Sequence, residues 1–420
     1  MSFVMGLAVA ADVVPPSFER LQVVKIIAGL VGILALAYLA GHRRIQQLER
    51  KLLLSEVVAA GFGFVLVGLV ASLPAVGILS DAVLYEIRPI LPIGLGWIGF
   101  VVGYRFEASA LQGLSRSAVR VAALAIAAPF VLIVGAALIL LSRTTGLSGA
   151  SFLRDALLLG TAGSMAARGS ADLLRLRGAD DAAVERTRLV LQLEELAAVL
   201  GVLLIGAYFR PPEATVAWQL PGTAWLFITV GMGVAVGLVV YGIVSVARVE
   251  REFIVLLLGS ICFTAGTASY LRLSPVAVCF IAGAILANLP GRWKEPARLA
   301  LGHLERPVYL VFLAIAGALW QVRAWQGWTL MVVFFVARVA GRWLAQRVRP
   351  LVVIEGEAAS APWELPVAPM GALSIAVVVT AQDLYFGPSI PWIVTAVIGG
   401  TMLTEIVAQA TLRAAAGFAP

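Results

Sequence analysis

The sequence predicts an all-α polytopic membrane protein with thirteen transmembrane helices. Three observations predict it. First, 61% of its 420 residues are hydrophobic and only 13% are charged, with a mean hydropathy of +0.97; a soluble domain is nearer half apolar and a quarter charged. Second, the apolar residues come in blocks of roughly 20, the length that carries a helix across the hydrocarbon core. Third, the connections between blocks alternate in charge, as the positive-inside rule requires. Spans this uniformly apolar must be helices, because strands in lipid need a closed barrel with alternating faces.

The blocks lie at 21–41, 54–73, 89–104, 118–142, 150–167, 188–209, 219–246, 252–271, 274–290, 307–321, 327–346, 369–386 and 390–412. Most of the 31 Lys and Arg residues follow odd-numbered blocks. Arg43, Arg44, Arg50 and Lys51 follow the first, Arg105, Arg116 and Arg120 the third, and Arg168, Arg175, Arg177, Arg186 and Arg188 the fifth. Arg248 and Arg251 follow the seventh, Arg292, Lys294, Arg298 and Arg306 the ninth, and Arg413 the last. Arg338, Arg342, Arg347 and Arg349 close the eleventh, where the first two read as positive-inside anchors. This bias predicts an N-terminus outside and a cytoplasmic C-terminus, and the helical spans place the protein in the inner (plasma) membrane. A missed or invented span would scramble the alternation.

The net charge of +7 is accounted for by basic loops facing anionic lipid. The expected surroundings are therefore a lipid bilayer and no nucleic acid. Cys262 and Cys279 both fall inside spans and read as free core thiols. Residues 1–20 read as an extracytoplasmic segment and 413–420 as a short cytoplasmic tail. The polar stretch 350–366, with Glu355, Glu357 and Pro362, reads as a linker.

Within this apolar frame, two features carry chemistry. The sixth span runs from Arg188 to Phe209 and contains adjacent acids, Glu194 and Glu195. An acid in a spanning helix is expensive, and its default reading is an ion or proton site facing the protein interior. Neighbouring helical residues point about 100° apart, so one of the two must be the principal ligand. The alternative is a structural pair satisfied by Gln192 or by hydroxyls of the fifth span. The second feature is a pair of interrupted spans. The fifth carries Gly160-Thr-Ala-Gly163-Ser164 and the twelfth opens Pro369-Met-Gly371-Ala-Leu-Ser374. Gly/Pro-interrupted spans at matching places in two halves mark transporters built from inverted repeats.

Several stretches, in order, resemble the monovalent cation:proton antiporter-2 family, which contains sodium/proton antiporters and glutathione-gated potassium efflux systems. Leu95 to Gly103 followed by Tyr104-Arg-Phe-Glu107 resembles its third-span signature. Ala156 to Ser164 resembles its unwound crossing helix. Leu189 to Leu200 resembles its ion-site helix, with Glu194-Glu195 at the acidic pair. Leu273-Ser-Pro-Val-Ala-Val-Cys-Phe-Ile-Ala-Gly-Ala-Ile-Leu-Ala-Asn288 is the most specific match. Leu304-Glu305 through Gly317, and Gly371 to Ala376, complete the set. The resemblance covers about 21–412.

It implies the sodium/proton antiporter fold, with inverted repeats and two crossed, broken helices. A core subdomain would move against a dimerisation subdomain, and the protein would be a homodimer, with room for a separately encoded regulatory subunit. The implied activity is exchange of Na⁺, Li⁺ or K⁺ for protons. No cofactor is implied beyond the transported monovalent cation and H⁺. Glu195 aligns with the more constant acid and would bind the cation or a proton. Glu194 would tune it, and oxygens of Thr161, Ser164 and the unwound backbone would complete a hard cation's shell. Gly371 and Ser374 mark the second crossing helix.

The sequence also departs from the family. Its acids are Glu, not Asp. Span 10 has no basic partner for them. The crossing helix reads Ala166-Ala167-Arg168 in place of Thr-Ser-Pro or Thr-Asp-Pro, and Arg105 replaces a Leu. Two other readings therefore stand beside antiport: a non-transporting sensor or partner-bound subunit on the same fold, and a K⁺ or Na⁺ uniporter or channel. Nucleotide loops, nucleophile motifs and metal-ligand clusters are missing from the sequence, so an enzyme is not expected.

Overall fold

The computed structural model describes residues 59–73, 81–108, 116–144, 149–176, 180–210, 220–246, 250–291, 293–352 and 367–417, with isolated positions besides. The extracytoplasmic segment 1–20, nearly all of the first span, most of the 350–366 linker and the last residues of the tail lie outside them. The described elements are helical: α1 (Ala59–Ser72), α2 (Asp81–Ile87), a 3-10 turn (Arg88–Ile90), α3 (Leu91–Tyr104), α4 (Arg116–Thr144), α5 (Ala150–Gly163), α6 (Gly169–Leu176), α7 (Asp181–Tyr208), α8 (Gly222–Val246), α9 (Glu250–Tyr270), α10 (Pro275–Asn288), α11 (Lys294–Ala318), α12 (Trp325–Val352), α13 (Ala372–Leu384) and α14 (Ile390–Gly417). Among the described residues, eight helices are long and apolar enough to cross a membrane, joined by shorter apolar helices over Gly63–Ser72, Pro275–Asn288 and Ala372–Leu384.

The helices sort into two packed groups. One joins α1, α3, α8, α9, α10 and α11; the other joins α4, α5, α6, α7, α12, α13 and α14. The α3–α10 pair is drawn close by glycine. A Cβ on Gly99 or Gly103 would overlap the backbone of Val276 or Phe280, the small-residue contact expected where lipid offers no hydrophobic drive between helices. In the second group, α4 and α12 lie together because Gly341 admits the backbone of Pro129, which a Cβ would overlap.

The second group repeats one order twice. Two long helices flank shorter ones in each, α4, α5/α6 and α7, then α12, α13 and α14. Local signals set the ends. Asp180 caps α7, its carboxylate accepting from the Ala183 N–H, and Ser274 caps α10 ahead of Pro275. Two expected boundaries move. The sixth span begins at Asp181, not 188, and the tenth at Lys294, not 307. Both extensions are charged, so hydropathy misses them although their helical pattern is continuous.

Candidate functional site

The site forms where α5 stops. α5 ends at Gly163, and residues 164–168 are non-helical before α6 begins at Gly169. Such a break leaves backbone carbonyls and amides without helical partners, and buried ones must find others. Here every partner is specific. The Gly163 and Met165 carbonyls accept from Arg338 Nε and Nη2, each at 3.0 Å. The Ser164 carbonyl accepts from Arg342 Nη2 at 3.3 Å. The Ala166 N–H donates to Glu194 Oε2 at 2.8 Å. The Ala167 N–H donates to the Pro369 carbonyl at 2.8 Å, so the break in α5 meets the non-helical segment 367–371 directly. Gly371, just before α13, lies in contact with Ala167, its Cβ direction only 3.4 Å from that residue's Cα.

The two acids take different environments. Glu194 Oε2 also accepts from Arg342 Nη2 at 2.8 Å, and neither side chain is exposed. Glu195 accepts from Arg168 Nε at 2.9 and 2.8 Å on its two oxygens. These side chains are 10% and 31% exposed, respectively. Glu194 is thus sealed, while the Glu195–Arg168 pair reaches the surface of the packed chain.

The reading of Arg338 and Arg342 as inner-end anchors is overturned. Both are fully buried, one turn apart on α12, and both serve the break in α5. Gly341 between them presses α12 against Pro129 of α4 and so sets their depth. The positive partner that relatives of the resembled family commonly place in span 10 comes here from α12 and from the break itself. Position in sequence hid this, because basic residues near an inner helix end look the same whether they snorkel or turn inward. Their four-residue spacing around a glycine was the available signal.

The other expected residues fall as follows. Thr161 is buried beside Gly201, where a Cβ would come within 2.8 Å of its Oγ1; that is seven residues, about 10 Å of helix rise, from Glu194. The Ser164 hydroxyl donates to the Thr161 carbonyl at 3.1 Å. Ser374 is fully buried in the first turn of α13, its hydroxyl without a hydrogen-bond partner among the described residues. Gln192 does not serve the acids. Its Nε2 donates to the Arg105 carbonyl at 3.0 Å, joining α7 to the end of α3. The Arg105 guanidinium pairs with Glu305 of α11, 2.6 Å to Oε1.

No protein-family profile matches the chain, and no curated protein sequence matches it. Solved structures do. The sodium proton antiporter MjNhaP1 from Methanocaldococcus jannaschii at pH 8 superposes with a TM-score of 0.64 at 16% identity, over 94% of this chain and 98% of that one. A structure of MjNhaP1 from an electron-microscopy map gives 0.60 at 16% identity, over 95% and 97%. At that identity the likeness speaks for architecture, and the chain has the fold of the sodium/proton antiporter MjNhaP1.

Proposed function

We propose that this chain is a secondary antiporter that exchanges a monovalent cation, Na⁺, Li⁺ or K⁺, for protons, with Glu195 as the exchanging carboxylate. The observation that carries the proposal is the placement of two acids where the break in α5 meets the non-helical segment before α13, one sealed and one reaching the surface. The shared fold with a sodium/proton antiporter supports it.

The roles divide by environment. Glu194, bound by Arg342 and the Ala166 N–H, holds the break in place as a fixed charge. Glu195 meets whatever enters. A cation and a proton compete for its oxygens, and either must first draw them from Arg168. A guanidinium does not give up its proton in proteins, so Arg168 leaves the pair as a cation and returns when the site empties. Transport by moving one helix group against the other, as a homodimer in the inner membrane with basic loops cytoplasmic, belongs to the same proposal through the family resemblance.

The test is ΔpH dissipation in proteoliposomes on addition of Na⁺, Li⁺ or K⁺, with wild type and Glu195→Gln. One observation favours a second reading, a non-transporting sensor or subunit: each acid already has an arginine partner. Wild-type protein that is folded, inserted and unresponsive to all three cations would select it.

A further inference from the structure

Arg272, in the turn between α9 and α10, is the one non-glycine residue with positive φ among those described, at φ 53°. That region suits glycine or asparagine, and an arginine there strains its backbone. Local bonds hold it: its N–H donates to the Ser269 carbonyl at 2.9 Å, and the Leu273 N–H to the Ala268 carbonyl at 2.8 Å. These bonds explain how the turn survives but not why arginine stands in it.

The side chain supplies a reason. Arg272 Nη1 reaches the Asp383 carbonyl at 3.3 Å, in the last turn of α13. The Asp383 carboxylate lies near the Ser269 side chain and within electrostatic reach of Arg272 and Arg88. Next to it, Gln382 Nε2 donates to the Leu319 carbonyl just past α11, at 3.3 Å. The end of α13 is therefore held from two places in the first helix group, the α9–α10 turn and the end of α11. Beside this grip lies a cavity of about 300 Å³, lined by residues including Arg88, Ala318, Leu319, Gln321, Gln382 and Asp383.

The position of α13 makes the grip consequential. Its first turn lies at the crossing, with Gly371 on Ala167. Its last turn lies about 20 Å away along the helix, on the face opposite the basic loops. Movement of the second helix group against the first must break the Arg272–Asp383 bond, because its donor and acceptor belong to different groups. Strained backbone that persists for a side-chain contact points to function.

We propose that Arg272 is a positioning residue that clasps the extracytoplasmic face shut between the two helix groups, and that the adjacent cavity is the route by which the exchanged cation reaches that face once the clasp opens. The second half rests on the antiport reading; the clasp does not.

The test follows closure without transport. Cys262 and Cys279 are replaced by Ala, and Ala318, which lines the cavity and is 5% exposed, becomes the reporter through Ala318→Cys. Labelling by a membrane-impermeant maleimide is timed from the extracytoplasmic side of right-side-out vesicles. Arg272→Gly removes the guanidinium while relieving the φ strain, so its Tm should be unchanged or higher. The clasp predicts labelling about tenfold faster in Arg272→Gly, with slow labelling restored by Arg272→Lys. Equal rates in parent and Arg272→Gly at unchanged Tm overturn it. Should the glycine variant lower Tm, Arg272→Asn, which also tolerates this backbone, is read by the same criterion. A wild type that exchanges no cation removes the antiport reading, while the labelling rates still decide for or against the clasp.

Discussion

Arg342 and Glu194 meet at 2.8 Å with neither side chain exposed. Arg342 also reaches the Ser164 carbonyl, and Glu194 also accepts the Ala166 N–H. One ion pair thus satisfies a carbonyl and an amide within the break in α5. Removing one member of a buried pair strands the other charge, at a cost of about 3–5 kcal/mol. Arg342→Ala should therefore lower Tm strongly in detergent-solubilised protein, and Glu194→Gln should lower it less, because the amide still accepts a hydrogen bond. An unchanged melting curve for Arg342→Ala would mean the pair does not hold the break.

Arg168 should behave differently. Its pair with Glu195 is partly exposed, so the pair contributes little to stability. Arg168→Ala should melt near wild type and show a KM for the transported cation lowered about fivefold, since about 1 kcal/mol of competition is lost. Cation-dependence assays of exchange give the number. A raised KM would make Arg168 a helper of binding, not its competitor.

Gly341 carries no chemistry, yet it sets where two arginines lie. A Cβ there overlaps Pro129, so Gly341→Ala must push α12 from α4. Overpacking of this kind costs about 1–3 kcal/mol. Exchange should fall together with Tm, because Arg338 and Arg342 move with α12. Wild-type exchange in this variant would show that the break tolerates their displacement.

The break in the fifth span, the non-helical start of the twelfth and the acidic pair were legible in the sequence because each breaks a strong local rule. Gly160 to Ser164 interrupt an apolar stretch, Pro369 to Gly371 open the twelfth span without helix, and Glu194-Glu195 places charge where lipid penalises it. The partners of those acids were not legible. Arg338 and Arg342 sit where the positive-inside rule already explains arginine, and only tertiary packing turns them inward. Arg168 reads as the start of a basic loop until the chain folds it back onto α7. The contacts of the Thr161 and Ser164 hydroxyls were not legible either: the first packs on Gly201 and the second donates to the Thr161 carbonyl. The charged first half of α11 was missed because hydropathy sees the lipid-crossing part of a helix and not its extension into water.

The most direct test of the account is proton movement in sealed proteoliposomes that carry a preset ΔpH. With wild type, adding Na⁺, Li⁺ or K⁺ should collapse the gradient for at least one of the three. With Glu195→Gln, folded and inserted to the same level, the same addition should leave it standing. Cation-dependent collapse that persists in Glu195→Gln would contradict the assignment of Glu195 as the exchanging carboxylate.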